Sequence, residues 1–95
     1  MARYIALLKF TERGSTSIKN STSRARAFAK QAAKAGVKVD GQYWTVGRFD
    51  GVVILSADNE QKILQLLMEL ASLGNVRSQT LQAFTEKEFE NLLNG

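Results

Sequence analysis

Aromatic and charged side chains crowd together near the middle of this 95-residue chain, at positions 43–51. Tyr43 and Trp44 each combine an apolar ring with a hydrogen-bonding group, while Arg48 and Asp50 supply one charge of each sign. An aromatic wall with a few convergent polar groups is typical of a small-molecule site, whose cavity usually exceeds roughly 300 Å³. The pattern therefore predicts a ligand-binding pocket, and the residues expected around it are Tyr4, Tyr43, Trp44, Arg48, Asp50 and Arg77.

The same stretch also has a structural interpretation, in which it is a tight turn between two strands. Gly47 and Gly51 suit such a turn because glycine adopts positive φ at little cost, and Asp50 can accept hydrogen bonds from turn amides. Arg48 would then pair with Asp50 or with another acid nearby. We expect positive φ at Gly51, where a β-branched side chain would be strongly destabilising.

The two aromatic residues and Arg77 have alternative roles as well. Tyr43 and Trp44 alternate along a strand, so only one of them can face the helices. Without a pocket, both would be packing residues. Arg77 lies on the last predicted strand, where it would either contact an anion or form a salt bridge between subunits.

The composition excludes several kinds of active site. The chain has no His and no Cys, which excludes Ser-His-Asp and Cys-His mechanisms and removes the usual zinc ligands. Asp50 stands apart from Asp58 and Glu60 in the pattern, so we expect no metal ion and no cofactor. Catalysis would have to use Tyr, Arg or Asp side chains alone.

Helix signals occur at three places. The first helix is expected to begin at the N-cap residues Ser21 or Thr22, after a polar loop, and to end at Gly36. The second is expected to be capped by Asp58 and to end at Gly74. A Thr-x-x-Glu capping box at 85–88 opens a short C-terminal helix.

Hydrophobic alternation predicts four strands, at 3–10, 37–46, 52–57 and 76–84. With the helices, the order is βαββαβ plus a terminal helix, which predicts a ferredoxin-like α+β fold in one domain over residues 1–95. Its usual strand order, 4-1-3-2, puts strands one and three in the centre. Both of these strands are apolar on both faces, as central strands should be.

The apolar character of both sheet faces predicts self-association. Two helices can cover only one face, and monomeric proteins rarely leave an apolar patch of more than a few hundred Å² in water. A second copy is the simplest cover, so we expect a homodimer of the dimeric α/β barrel type, or a higher homo-oligomer.

Charge divides unevenly along the chain. Residues 1–48 carry ten Lys or Arg and two acids, while residues 49–95 carry three Lys or Arg and seven acids. This asymmetry either steers an anion, pairs opposite faces between subunits, or is a solvated surface. Nucleic acid is not expected, because the third strand has no aromatic ring on which a base could stack. No segment predicts a membrane span or a signal peptide, which favours a cytoplasmic location.

Residues 47–51, Gly-Arg-Phe-Asp-Gly, resemble the Gly-x-Tyr-Asp-Gly signature of the GYD domain family, small proteins of bacteria and archaea. The Tyr-Trp-Thr-Val run before it and residues 74–84 are similar to two further motifs of that family, so the resemblance covers nearly the whole chain. Phe49 replaces the tyrosine of the signature, which puts any role of that phenol hydroxyl in doubt. The resemblance implies a ferredoxin-like fold similar to dimeric α/β barrels, and no particular reaction.

Three functions are consistent with these observations. The first is a homo-oligomeric domain that binds a small molecule in or beside the barrel. The second, suggested by enzymes with related barrels, is a cofactor-independent, monooxygenase-like reaction on an aromatic substrate. The third is a structural or interaction module.

Overall fold

The computed structural model describes all 95 residues and contains four strands and four helices. A single 3-10 turn, Ile18–Asn20, joins the first two helices. The elements in chain order are β1 (Ala2–Phe10), α1 (Glu12–Thr16), α2 (Ser21–Lys34), β2 (Lys38–Trp44), β3 (Gly51–Ala57), α3 (Glu60–Ser72), β4 (Val76–Gln82) and α4 (Glu86–Leu93).

The four strands form one antiparallel sheet in the order β2-β3-β1-β4. The predicted ferredoxin-like α+β fold and its strand order are therefore confirmed. β1 and β3 lie in the centre and pair in register from Ala2 opposite Ala57 to Leu8 opposite Gly51. α2 and α3 both pack on the same face of this sheet.

The hydrophobic core lies between the sheet and these two helices. Alternate residues of the central strands point into it, and each helix contributes the apolar stripe that its 3.6-residue period predicts. None of the helices has the length and apolar character needed to cross a bilayer. The buried core side chains are Tyr4, Ala6, Phe28, Ala32, Val37, Val53, Leu55, Ala57, Ile63, Leu66 and Leu67.

Local capping signals set most of the helix ends. Gly36 has φ of 80° just after α2, and the Val37 amide donates to the Ala32 carbonyl at 2.8 Å, which closes a Schellman motif. Gly74 has φ of 78° after α3. The capping box of α4 forms as predicted between Thr85 and Glu88.

Two predicted N-caps are wrong. Asn59, rather than Asp58, caps α3 by accepting a hydrogen bond from the Gln61 amide at 2.7 Å, while Asp58 pairs with Lys62. α2 begins at Ser21 itself after Asn20, whose side chain makes no capping bond. The 3-10 turn that runs directly into α2 leaves no extended residue to act as an N-cap.

The predicted polar loop at 11–20 is also wrong, because it contains α1 and the 3-10 turn. Thr11 caps α1 through a bond from the Gly14 amide and donates its hydroxyl to the Gly74 carbonyl at 2.6 Å. Gly14 is buried at this junction, where a Cβ would lie 2.0 Å from the Asn75 carbonyl oxygen. Glycine is therefore needed here because the backbone after α3 approaches closely.

Gly51 does not adopt the positive φ that we expected, because it is already the first residue of β3. The positive φ of the turn falls on Gly47, at 139°. A Cβ on Gly51 would lie 3.2 Å from the Tyr43 carbonyl oxygen, so its constraint is a tight strand contact.

Gly14→Ala should destabilise the protein by about 2–3 kcal/mol, because the added methyl overlaps a backbone carbonyl that cannot move without shifting β4. Thermal or urea unfolding of the variant measures this cost. Ser15→Ala, on the exposed side of the same helix, is the matched control and should change the unfolding free energy by less than about 0.5 kcal/mol. Equal effects of the two substitutions would contradict the packing assigned to Gly14.

Candidate functional site

A cavity of about 190 Å³ lies between the sheet and the two packed helices, at the end of the sheet where β1 finishes and β3 starts. It is smaller than the roughly 300 Å³ expected of a ligand pocket. Tyr43, Trp44 and Asp50 of the predicted site contribute to its wall, while Tyr4, Arg48 and Arg77 do not. The structure thus brings together half of the residues predicted from the sequence.

Trp44 faces the helices and is held in place by a hydrogen bond. Its indole Nε1 donates to the Ser21 Oγ at 2.8 Å, and the neighbouring Gln42 amide donates to the Ala25 carbonyl at 3.2 Å. Tyr43 pairs with Val52 and points to the opposite side of the sheet, as strand alternation requires. Its ring lies over Gly41, which has no Cβ to obstruct it.

Asp50 has a clear structural role. Its carboxylate accepts a hydrogen bond from the Phe10 amide at 2.9 Å, and its own amide donates to the Leu8 carbonyl at 2.8 Å. These bonds attach the turn before β3 to the end of β1. The carboxylate is therefore engaged with backbone rather than with Arg48, and the predicted Arg48–Asp50 pair does not form.

Arg48 and Arg77 are both exposed, at different places on the surface. The Arg48 guanidinium lies 5.9 Å from the centre of the Phe49 ring, while its backbone carbonyl accepts a bond from the Lys9 ammonium. Arg77 sits on the edge strand β4 directly opposite Lys9 on β1. Neither Lys9 nor Arg77 forms an ion pair within the chain.

Tyr4 belongs to the other end of the sheet. Its hydroxyl donates to the Glu60 carboxylate at 2.8 Å, and this hydrogen bond, together with burial, raises the pKa of the Tyr4 phenol above its usual 10.0. The phenol therefore remains protonated and ties the start of β1 to the first turn of α3. Since a strand rises about 3.3 Å per residue, Tyr4 lies roughly 20 Å from the end of β1 and the cavity.

The structure adds residues to the cavity that the sequence pattern did not indicate. Phe28 and Leu70 line it from α2 and α3, and Phe10 lines it from β1. Arg24 also lines it and donates to the Ser17 carbonyl at 2.9 Å, with no carboxylate partner. The position of Arg24 on the polar side of a helix stripe was a signal for exposure, and only the packing of α1 beside it places it at the cavity.

The second face of the sheet has no covering element in the chain. Strand register places Ile5, Leu7, Val52, Ile54 and Leu81 on this open face, side by side across three strands. Four strands about 4.8 Å apart and seven residues long span roughly 400 Å² in projection, a size at which apolar patches on monomers often mark binding sites.

α4 lies beside this open face and is attached by one ion pair. The Arg3 guanidinium donates to the Glu88 carboxylate at 3.0 Å. A bond from the Thr85 amide, with Arg3 second, lowers the pKa of Glu88 below its usual 4.5. The apolar residues of α4 are nevertheless exposed, Phe89 by 54%, Leu92 by 59% and Leu93 by 71%.

No three His, Cys, Asp or Glu side chains lie close enough together to hold a metal ion. The polar groups nearest the cavity are instead engaged in the bonds described above, which attach β1, β2 and the turn to one another. Two surfaces are therefore candidates for a functional role, the cavity and the open face.

Comparison with known proteins supports both the fold and a binding role for a relative. The sequence model of the GYD domain matches residues 4–93. The chain is 27% identical over 84 residues to the "glutamine synthetase and cystathionine beta-lyase binding protein" of Thermus thermophilus, covering 87% of this chain and 88% of that protein. Its fold is similar to the crystal structure of TTHA0845 from Thermus thermophilus, with a TM-score of 0.58, 21% identity, and coverage of 90% and 95% of the two chains.

Asp50→Ala should cost about 1–3 kcal/mol of unfolding free energy, because it leaves the partly buried Phe10 amide without its acceptor. Arg48→Ala, two residues away, is the matched control. Its guanidinium makes no hydrogen bond, so its cost should stay within about 0.5 kcal/mol. Urea unfolding of both variants tests this, and a cost at Arg48 equal to that at Asp50 would contradict the assignment of the turn.

Proposed function

This chain belongs to the GYD domain family, and we propose that it acts in the cytoplasm as a homodimeric protein-binding module. In this proposal the open face of the sheet binds a second copy. The dimer then presents its remaining surface to other proteins. The assignment favours the interaction module among the three functions that the sequence left open.

The uncovered apolar face of the sheet carries this proposal. Ile5 and Ile54 pair directly across β1 and β3, as do Leu7 and Val52, so the apolar side chains form one continuous patch. Burying such a patch contributes about 25 cal/mol per Å². A second copy has an identical patch, and a closed twofold dimer buries both at once.

The proposed binding of other proteins is supported by the Thermus thermophilus relative. That protein is named for binding two enzymes, glutamine synthetase and cystathionine beta-lyase, and the similarity extends over 87% of this chain. A small domain without its own reaction can act on metabolism by binding an enzyme. We therefore propose an enzyme partner of this kind, with glutamine synthetase as the first candidate to test.

The cavity favours a second candidate function, the binding of a small aromatic anion. Its wall combines aromatic rings, Phe28 and Trp44 among them, with Arg24, whose positive charge is not neutralised by an acid within the chain. A carboxylate on an aromatic ligand would supply that partner, since arginine presents a planar fork that matches carboxylate geometry. The volume of about 190 Å³ limits the ligand to a single small ring.

Ile54→Glu should convert the dimer to a folded monomer, because the charge would have to be buried at the centre of the interface. Sedimentation velocity at micromolar concentration measures the state, and circular dichroism checks the fold. Met68→Glu is the matched control, since Met68 is 71% exposed on α3 away from the open face, and it should remain dimeric. A monomeric wild-type protein would overturn the dimer.

The same sedimentation runs, repeated with purified glutamine synthetase from the source organism, test the second half of the proposal. The wild-type protein and Met68→Glu should sediment with the enzyme, whereas Ile54→Glu should bind more weakly because it presents one copy of the binding surface. Absence of binding by the wild-type dimer would remove this enzyme as a partner.

Benzoate should shift the Trp44 indole resonance in a two-dimensional NMR titration if the cavity binds aromatic anions. Benzamide has the same shape without the charge and should have a smaller effect. Arg24→Gln should abolish the difference between the two compounds by removing the cation that distinguishes them. Equal shifts with benzoate and benzamide, or none with either, would contradict this second function.

A further inference from the structure

The open face of the sheet has two ends with different charges. At one end Arg3 is neutralised by Glu88 of its own α4. At the other end Lys9 and Arg77 lie directly opposite each other on β1 and β4, with no acid beside them. Like charges placed opposite each other across two strands are destabilising. The second end therefore lacks negative charge, and nothing within the chain supplies it.

α4 has the complementary properties. Successive residues turn by 100° around a helix, which puts Phe89, Leu92 and Leu93 on one stripe. Glu88 flanks this stripe on one side, and Glu86 and Glu90 flank it on the other. Glu88 is bound to Arg3, while Glu86 and Glu90 form no ion pair within the chain. The helix thus has an apolar stripe and two free carboxylates without a partner.

We propose that α4 of each copy binds the partner copy, with its apolar stripe against the rim of the partner's open face and Glu86 and Glu90 paired with the partner subunit's Lys9 and the partner subunit's Arg77. The inference rests on the proposed dimer and adds its orientation and a second contact. The occupant of the exposed helix is a second copy of this chain, because the missing charge and the free charge occur on the same molecule.

Charge complementarity also selects between two ways of stacking the sheets. If the twofold axis ran along the strands, the two Lys9–Arg77 ends would face each other and repel. If the axis runs across the strands, each strand lies antiparallel to its counterpart. The Arg3 end of one copy, with α4, then lies over the Lys9–Arg77 end of the other. The β4 edges coincide in this arrangement, so α4 is on the correct side to reach Arg77.

The structure of α4 in the isolated chain is consistent with a helix prepared for binding. Its capping box satisfies the backbone at its N-terminus, although it makes no extended contact with any other element. A helix of eight residues is marginal by itself in water, and most helical stability in proteins comes from packing an apolar face. Docking on a second copy supplies that packing.

Charge reversal and its rescue test this contact. Glu86→Lys with Glu90→Lys should weaken the dimer by at least about tenfold, and so should Lys9→Glu with Arg77→Glu. Combining all four substitutions should return the dissociation constant to within about threefold of wild type, since the charges then match again. The control is Lys30→Glu with Lys34→Glu on the exposed side of α2, which should have little effect. Sedimentation equilibrium measures each constant.

Leu92→Asp with Leu93→Asp is a second probe that does not depend on charge pairing. Both residues are exposed in the monomer, so the fold should be retained while the dimer is weakened. If Ile54→Glu disrupts the dimer while every α4 variant leaves it unchanged, the role of α4 is overturned and the open-face dimer stands. Two reversed sets that both weaken the dimer without rescue in combination would overturn the proposed pairing, and a monomeric wild type would overturn both proposals.

Discussion

The rest of the structure depends on one imbalance, a sheet that is apolar on both faces and is covered by helices on only one. β1 and β3 place Ala6, Val53 and Leu55 into a dry core on the helix side. The same strands place Ile5, Leu7 and Ile54 on the open side. Because side chains alternate along a strand, a central strand that is apolar throughout must present both faces to apolar surroundings. The chain supplies one set of surroundings, and we infer that a second copy supplies the other.

The distribution of charge follows from the same imbalance. Most cations of the first half of the sequence lie on the surface of α2 or at the ends of the open face, whereas three carboxylates are concentrated on α4. Arg3 and Glu88 connect these two sets within one chain at one end of the face. The remaining charges at the rim contribute to the orientation of association more than to its strength, as rim charges generally do.

The chemically rich turn between β2 and β3 has a structural role. Asp50 fastens the turn to β1, Gly47 provides the positive φ, and the Thr45 hydroxyl and amide donate to the Phe49 and Asp50 carbonyls. The turn therefore fixes the start of β3 and one wall of the cavity. Residues of a type that could perform chemistry are used here to position backbone, and the proposed function lies in the surfaces that this positioning creates.

Features that depend on neighbouring residues could be predicted from the sequence, whereas features that depend on distant contacts required the tertiary structure. Gly36 and Gly74 end helices because glycine tolerates the left-handed conformation. In contrast, Asp50 binds the Phe10 amide 40 positions away, and Gly14 is needed because the backbone after α3 approaches it. The sequence by itself determined the fold and the uncovered face, because periodicity and capping are local. Only the tertiary structure decided which polar groups meet, because hydrogen bonds form over about 3 Å and few sequence patterns specify positions that closely.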